Sequence, residues 1–172
     1  MCSRLNIKMI DVTERNIEQI LALALHEDQL GYVDSLTSCI KLSNMDPRYI
    51  MKGLYYGDQL VGFTMFGCFE DEAHQARVWL NEFLIDKNYQ GLGLGSKMLS
   101  VVIECMLKTF QTDKIYLSVV QSNDRAVHLY KKFGFHITEE VVEAGEYVMK
   151  YETNHHPLPL SLPVHESERL VC

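Results

Sequence analysis

The sequence predicts a mixed α/β fold: a mostly antiparallel central sheet with helices packed on both faces. Three observations carry this. Several short runs of β-branched and apolar residues have the length and alternation of strands. Three segments repeat apolar residues at helical spacing. A third group of residues, from Lys114 to Val120, is a β-branched and aromatic run between two of those helices, which reads as a buried strand.

The elements follow in order. Leu5 to Ile10 alternates and reads as a first strand. Thr13 is placed to cap a helix with Ile17, Ile20, Leu21, Ala24 and Leu25 on one face. A second, shorter helix is expected from Asp34 to Leu42, and Asn44 to Pro47 breaks the pattern. Two strands, Ile50 to Tyr56 and Gln59 to Cys68, flank a Gly57-Asp58 hairpin turn. Phe69 to His74 is an acidic loop, and Arg77 to Ile85 is the next strand. Ser96 to Phe110 forms a long helix with Leu99, Val102, Ile103, Met106 and Phe110 on its apolar stripe. After the strand at Lys114 to Val120, Asn123 to Phe133 is helical and Gly134 closes it as a C-cap. Glu146 to Tyr151 is the last strand. Residues 1–152 are thus read as one domain. Residues 153–172 hold three of the four prolines and read as an extended or disordered tail.

Bulk properties exclude several classes. At 172 residues, with 47% hydrophobic and 23% charged residues, the chain is an ordinary globular protein able to bury a core. Its formal charge of −7 argues against nucleic acid and suits a cationic partner. There is no apolar run of membrane-spanning length and no signal-peptide pattern at the N-terminus. The five cysteines are odd in number and widely spaced. They suggest neither a disulfide framework nor a metal site, and a reducing cytoplasm is the expected compartment.

The most telling segment is Gln90-Gly91-Leu92-Gly93-Leu94-Gly95-Ser96, between a strand and a helix. Alternating glycines let the backbone approach a ligand and turn its N–H groups inward. The helix that follows adds further N–H groups and the positive end of its dipole. A phosphate or pyrophosphate fits such a place. The spacing fails as a P-loop, because Gly95 is followed by Ser96 and not lysine. It also fails as Gly-x-Gly-x-x-Gly, because the last position falls on Ser96 or Met98. Gln-x-x-Gly-x-Gly, read as Gln90, Gly93 and Gly95, does fit, and resembles the acyl-CoA pyrophosphate loop of the GNAT acetyltransferase superfamily. The bland reading of this segment alone is a turn that packs a helix on a sheet.

A second motif lies downstream. Asn123, Ala126, Tyr130, Gly134 and Phe135 match the GNAT pattern Asn-x-x-Ala-x-x-x-Tyr-x-x-x-Gly-Phe at every fixed position. The resemblance covers most of Leu5 to Tyr151. Within the superfamily the chain looks most like bacterial spermine/spermidine acetyltransferases. The segments behind this include Gln29-Leu30-Gly31-Tyr32-Val33-Asp34-Ser35, Gly53-Leu54-Tyr55-Tyr56 and Arg77-Val78-Trp79-Leu80.

The resemblance implies transfer of an acetyl group from acetyl-CoA to an amine by direct attack, with no metal. Tyr130 matches the general acid toward the CoA sulfur; a phenol suits this because it stays protonated at neutral pH. As implied by the resemblance, Asn123 hydrogen-bonds the CoA arm and Lys132 meets its 3′-phosphate. Phe83, Leu84 and Ile85 match the strand that pairs with pantetheine, the Leu84 N–H polarising the thioester. Gln90, Gly91, Leu92, Gly93, Leu94, Gly95 and Ser96 would cradle the pyrophosphate. A homodimer is the default for such enzymes.

The general base is open at this stage. The position that carries a glutamate in some relatives is Asn81 here, which cannot take a proton, and Glu82 is next to it. Either a bulge reorients Glu82, or Asn81 holds a water that relays the proton to another carboxylate. For a polycationic amine, carboxylates spaced along a groove with an aromatic face between them are needed. Glu27, Asp28, Tyr32 and Asp34 are the first candidates, and Glu70, Asp71 and Glu72 the second. Two other readings are a GNAT enzyme for another small amine or a protein N-terminus, and a non-catalytic acyl-CoA-binding module.

Overall fold

The computed structural model describes residues 7–141 and 145–154. Its elements are β1 (Ile7–Asp11), α1 (Ile17–Leu21), α2 (Leu36–Met45), β2 (Ile50–Tyr56), β3 (Gln59–Glu70), β4 (Ala76–Ile85), α3 (Leu94–Phe110), β5 (Lys114–Val120), α4 (Asp124–Lys132), β6 (His136–Ile137) and β7 (Glu146–Glu152). Two 3-10 turns, Glu27–Gln29 and Lys87–Tyr89, complete them. The seven strands follow the order β1-β2-β3-β4-β5-β7-β6. β1 and β2, β5 and β7, and β6 and β7 are antiparallel, while β4 and β5 are parallel, with Trp79 opposite Tyr116. This is the mixed, mostly antiparallel sheet that the sequence predicts. The proposed tail, from residue 155 onward, lies outside the described residues.

The chain divides into two compact units. Of the described residues, the first comprises 7–65 and 82–99. Its core is Ile20, Cys39, Tyr55, Leu60, Phe63, Met65 and Leu84, with Val12, Leu23, Leu25, Val33 and Leu36 packed against it. The second comprises 66–81, 100–141 and 145–154. There Ile103 and Met106 of α3, Ile115 and Leu117 of β5, and Val148, Met149 and Tyr151 of β7 are fully buried or nearly so.

Several boundaries shift for local reasons. α1 ends at Leu21, so Ala24 and Leu25 lie beyond it. The Ala24 N–H donates 2.8 Å to Asp86 Oδ2, and this tertiary acceptor draws the chain out of the helix. Asn16, rather than Thr13, precedes α1; its Oδ1 accepts from the Thr13 N–H at 2.8 Å. α2 begins after Ser35, whose hydroxyl accepts from the Ser38 N–H, and extends three residues past Leu42. α3 starts at Leu94, so Gly95 and Ser96 belong to its first turn. The short β6 has no counterpart among the expected elements; two residues are too few to show alternation. Cys39 and Cys105 are buried thiols in apolar segments. Among the described residues Cys68 is disulfide-bonded, where the sequence suggests no disulfide framework.

Candidate active site

In the first unit the site is built from the end of β4 outward. Leu84 and Ile85 are buried and Phe83 is half-buried. Gly62 of β3 faces them so closely that a Cβ there would collide with the Leu84 carbonyl oxygen and come within 3.0 Å of the Ile85 side chain. Only glycine lets the two strands approach at this point. The buried Thr64 hydroxyl donates 2.8 Å to the carbonyl of Glu82, and the Asp86 N–H donates 2.9 Å to the carbonyl of Val61. The backbone along Phe83–Ile85 is therefore held from the β3 side.

The glycine segment comes next. Gly91 and Gly93 have φ of +77° and +74°, the left-handed region that side chains disfavour, so the alternation of glycines is a backbone requirement. Leu92 between them is 65% exposed, while Leu94 is buried and begins α3. The segment thus ends on the first turn of a seventeen-residue helix, where N–H groups lack intrahelical acceptors. Gln90 does more than begin the loop. Its amide and that of Gln29 exchange two hydrogen bonds, of 2.9 and 2.8 Å, and its Nε2 also donates 2.9 Å to the Ile85 carbonyl.

Asp86 anchors the same region. It is 5% exposed. Its carboxylate accepts from the Ala24 N–H at 2.8 Å and from the Asn88 backbone and side-chain N–H groups at 2.9 Å each. The Lys87 N–H in turn donates 2.8 Å to the Ala24 carbonyl. Buried carboxylates need such donors. Asp86 has no assigned role in the sequence reading; its only signal there is an acidic residue between an apolar strand and the glycine loop.

The acidic residues sort into two kinds. Glu27 and Asp28 lie exposed in the 3-10 turn Glu27–Gln29, Tyr32 is half-buried, and Asp34 is exposed just before α2. Asn81 is exposed and Glu82 half-buried. The charges of Glu82 and Asp34 both act on the buried Cys39 thiol; together with burial, which dominates, they push it up to about 12. Cys39 thus stays a neutral packing group. Of the loop acids, Glu70 lies 3.6 Å from His74 Nδ1, and Asp71 is engaged within the loop. Asp71 accepts from the Ala73 and Gln75 N–H groups at 2.9 Å each and pairs with Arg77 at 2.9 Å. The first of these interactions to count, the Gln75 N–H, holds its carboxyl below the usual range. Asp71 is thus a turn-former.

The second unit carries the other motif. Asn123 precedes α4, and its Oδ1 accepts from the Ala126 N–H at 3.2 Å. At the other end the Gly134 N–H donates 3.0 Å to the Lys131 carbonyl and the Phe135 N–H donates 3.1 Å to the Tyr130 carbonyl. With Gly134 at φ +94° this is a Schellman ending. The motif's Asn, Gly and Phe therefore build a short helix with defined ends. Tyr130 is 8% exposed, and its ring lies 5.7 Å from that of Phe135. Lys132 is exposed on the last turn of α4.

Comparison with known proteins agrees with both motifs. Residues 14–135 match the Acetyltransferase (GNAT) family. The chain is 40% identical over 151 residues to the spermine/spermidine N(1)-acetyltransferase of Bacillus subtilis, covering 86% of this chain and 98% of the relative. It is 32% identical to N-alpha-acetyltransferase 50 of Danio rerio, over 77% of this chain and 76% of that one. Among solved structures, the spermidine N-acetyltransferase of Vibrio cholerae in complex with CoA and spermine superposes with a TM-score of 0.69 at 18% identity, covering 87% of this chain and 96% of that one. The glycine loop, the tyrosine-bearing helix and these relationships lead to one conclusion: the chain belongs to the GNAT acetyltransferase family.

Proposed function

We propose that this acetyltransferase moves the acetyl group of acetyl-CoA to a primary amine of spermine or spermidine. The observation that carries the substrate class is the set of exposed carboxylates Glu27, Asp28 and Asp34 on one short segment around the half-buried Tyr32. It gives a polycation several carboxylates and an aromatic ring on one segment of the first unit. A chain of ammonium groups is attracted by such a set far more than a neutral amine is. The name of the Bacillus subtilis relative, matched over 98% of its length, supports the same class.

The chemistry assigns each group a task. Glu82 takes the ammonium proton, so that the free amine attacks the thioester carbon; the new C–N bond forms as the C–S bond breaks. The backbone at Phe83, Leu84 and Ile85 aligns the pantetheine arm, and the Leu84 N–H stabilises the carbonyl oxygen as it becomes negative. Gln90 to Ser96 receives the pyrophosphate, Asn123 the CoA arm and Lys132 the 3′-phosphate. Tyr130 gives its proton to the departing thiolate. Glu27, Asp28 and Asp34 hold the distal ammonium groups, with Tyr32 as the aromatic face between them. Asn81 orients water beside Glu82. The reading includes a cytoplasmic location and a homodimer.

Free CoA released from acetyl-CoA tests the proposal. Turnover with spermine or spermidine supports it. Turnover with a peptide N-terminus alone would keep the enzyme class and reassign the acidic residues. Binding of acetyl-CoA with no turnover on any amine would favour a non-catalytic module.

A further inference from the structure

We infer that Gln29 is a positioning residue for the cosubstrate: through Gln90 it sets the place of the glycine loop. This rests on reading residues 90–96 as the pyrophosphate cradle. The loop cannot anchor itself. Gly91 and Gly93 have no side chains, and Leu92 is 65% exposed. Its leading end is fixed by the Gln90 amide, which bonds the Ile85 carbonyl at 2.9 Å and the Gln29 amide at 2.9 and 2.8 Å. Gln90 therefore uses both its donor and its acceptor inside the protein.

The partner is itself held. Gln29 ends the 3-10 turn Glu27–Gln29, and its Oε1 also accepts from the His26 N–H at 3.4 Å. Five residues before Gln29, Ala24 is bonded both ways to the segment that leads into the loop: its N–H to Asp86 Oδ2 and its carbonyl to the Lys87 N–H, each at 2.8 Å. Residues 24–29 and 86–90 are thus joined at both ends, as two rungs of a short ladder. The acidic turn lies between the rungs. Loss of the Gln29 rung leaves the leading end of the glycine-rich loop held by the Gln90–Ile85 bond alone. Ligand then has to select the receptive loop conformation from a wider set, and affinity falls by the fraction of time that conformation is populated.

CoA binding by calorimetry on the full chain tests this, with Gln29→Met, Gln90→Met, the double variant and Gly93→Val. Methionine keeps the length and stem of glutamine and removes the amide. Gln29→Met is expected to weaken CoA binding about five- to tenfold, the weight of one or two ordinary hydrogen bonds. Because Gln29 acts through Gln90, the double variant should bind no more weakly than Gln90→Met. A lower melting temperature with unchanged CoA affinity in Gln29→Met would overturn the inference, as would additive losses in the double variant. Gly93→Val separates the two readings. If it binds CoA normally, the cradle reading falls and the inference with it; if it binds weakly while Gln29→Met binds normally, the inference alone falls. No amine enters the experiment, so the result is independent of the substrate class.

Discussion

Phe135 holds Tyr130 twice. Its N–H donates 3.1 Å to the Tyr130 carbonyl, and the two rings lie 5.7 Å apart at 60°. The carbonyl bond belongs to the Schellman ending, and the ring contact is the apolar contact that accompanies such endings. Packing and chemistry can therefore be separated at Tyr130, because phenylalanine keeps the ring and the backbone bond and removes only the hydroxyl.

Tyr130→Phe should leave the melting temperature within a few degrees of the parent and lower kcat by about 10²-fold or more, the usual weight of a general acid. The KM for acetyl-CoA should change little by comparison. A variant with full kcat would show that the hydroxyl is not the acid.

Glu82→Gln should lower activity near neutral pH by about 10²-fold. Its remaining activity should climb with pH toward the amine's own pKa, about 10.4 for a lysine-like amine, as more substrate arrives unprotonated. Asn81→Ala should cost much less. The reverse order, with Asn81→Ala silent and Glu82→Gln active, would assign the proton to a water relay.

Cys39 gives a prediction on the alkaline side. Its thiol is pushed up to about 12 in the folded protein, by burial first and then by Glu82 and Asp34. The unfolded chain releases this proton near the ordinary thiol pKa, about 8.5. Above that pH the unfolded state binds fewer protons than the folded one, so stability falls as pH rises. The loss begins near the unfolded pKa and continues to about 12. Cys39→Val should flatten that part of the stability profile, and the parent's Cys39 should resist alkylation at pH 8. Rapid labelling of Cys39 in the folded protein would contradict its burial.

Gly62→Val tests the close approach of β3 and β4. Its Cβ would meet the Leu84 carbonyl oxygen, so β4 has to shift. Overpacking of this kind costs about 1–3 kcal/mol. Circular dichroism should show a lower melting temperature, and the KM for acetyl-CoA should rise because Leu84 and Ile85 move. An unchanged KM would detach this strand end from the cosubstrate.

The parts visible in the sequence are those with a local cause. The bounds of β2 and β5 follow from their own apolar residues, and the left-handed glycines 91 and 93 from their spacing. Tyr130 and Asn123 were legible because their motif also builds a capped helix. What was hidden depends on distant partners. The early end of α1 comes from Asp86, sixty-two residues from Ala24, and the Gln29–Gln90 pair spans sixty-one. Asp71 and Glu27 look alike in sequence, and only the turn bonds and Arg77 show that Asp71 is engaged. The choice between Asn81 and Glu82 is open in the sequence for the same reason.

The central claim is acetyl transfer to a polyamine. Its most direct measurement is CoA release from acetyl-CoA with spermine, spermidine, putrescine, lysine, an aminoglycoside and a short peptide, each assayed at equal concentration. The account predicts turnover with spermine and spermidine well above the other amines, with acetylated polyamine formed in step with CoA. Turnover confined to the peptide or the aminoglycoside, or no turnover with acetyl-CoA bound, would contradict it.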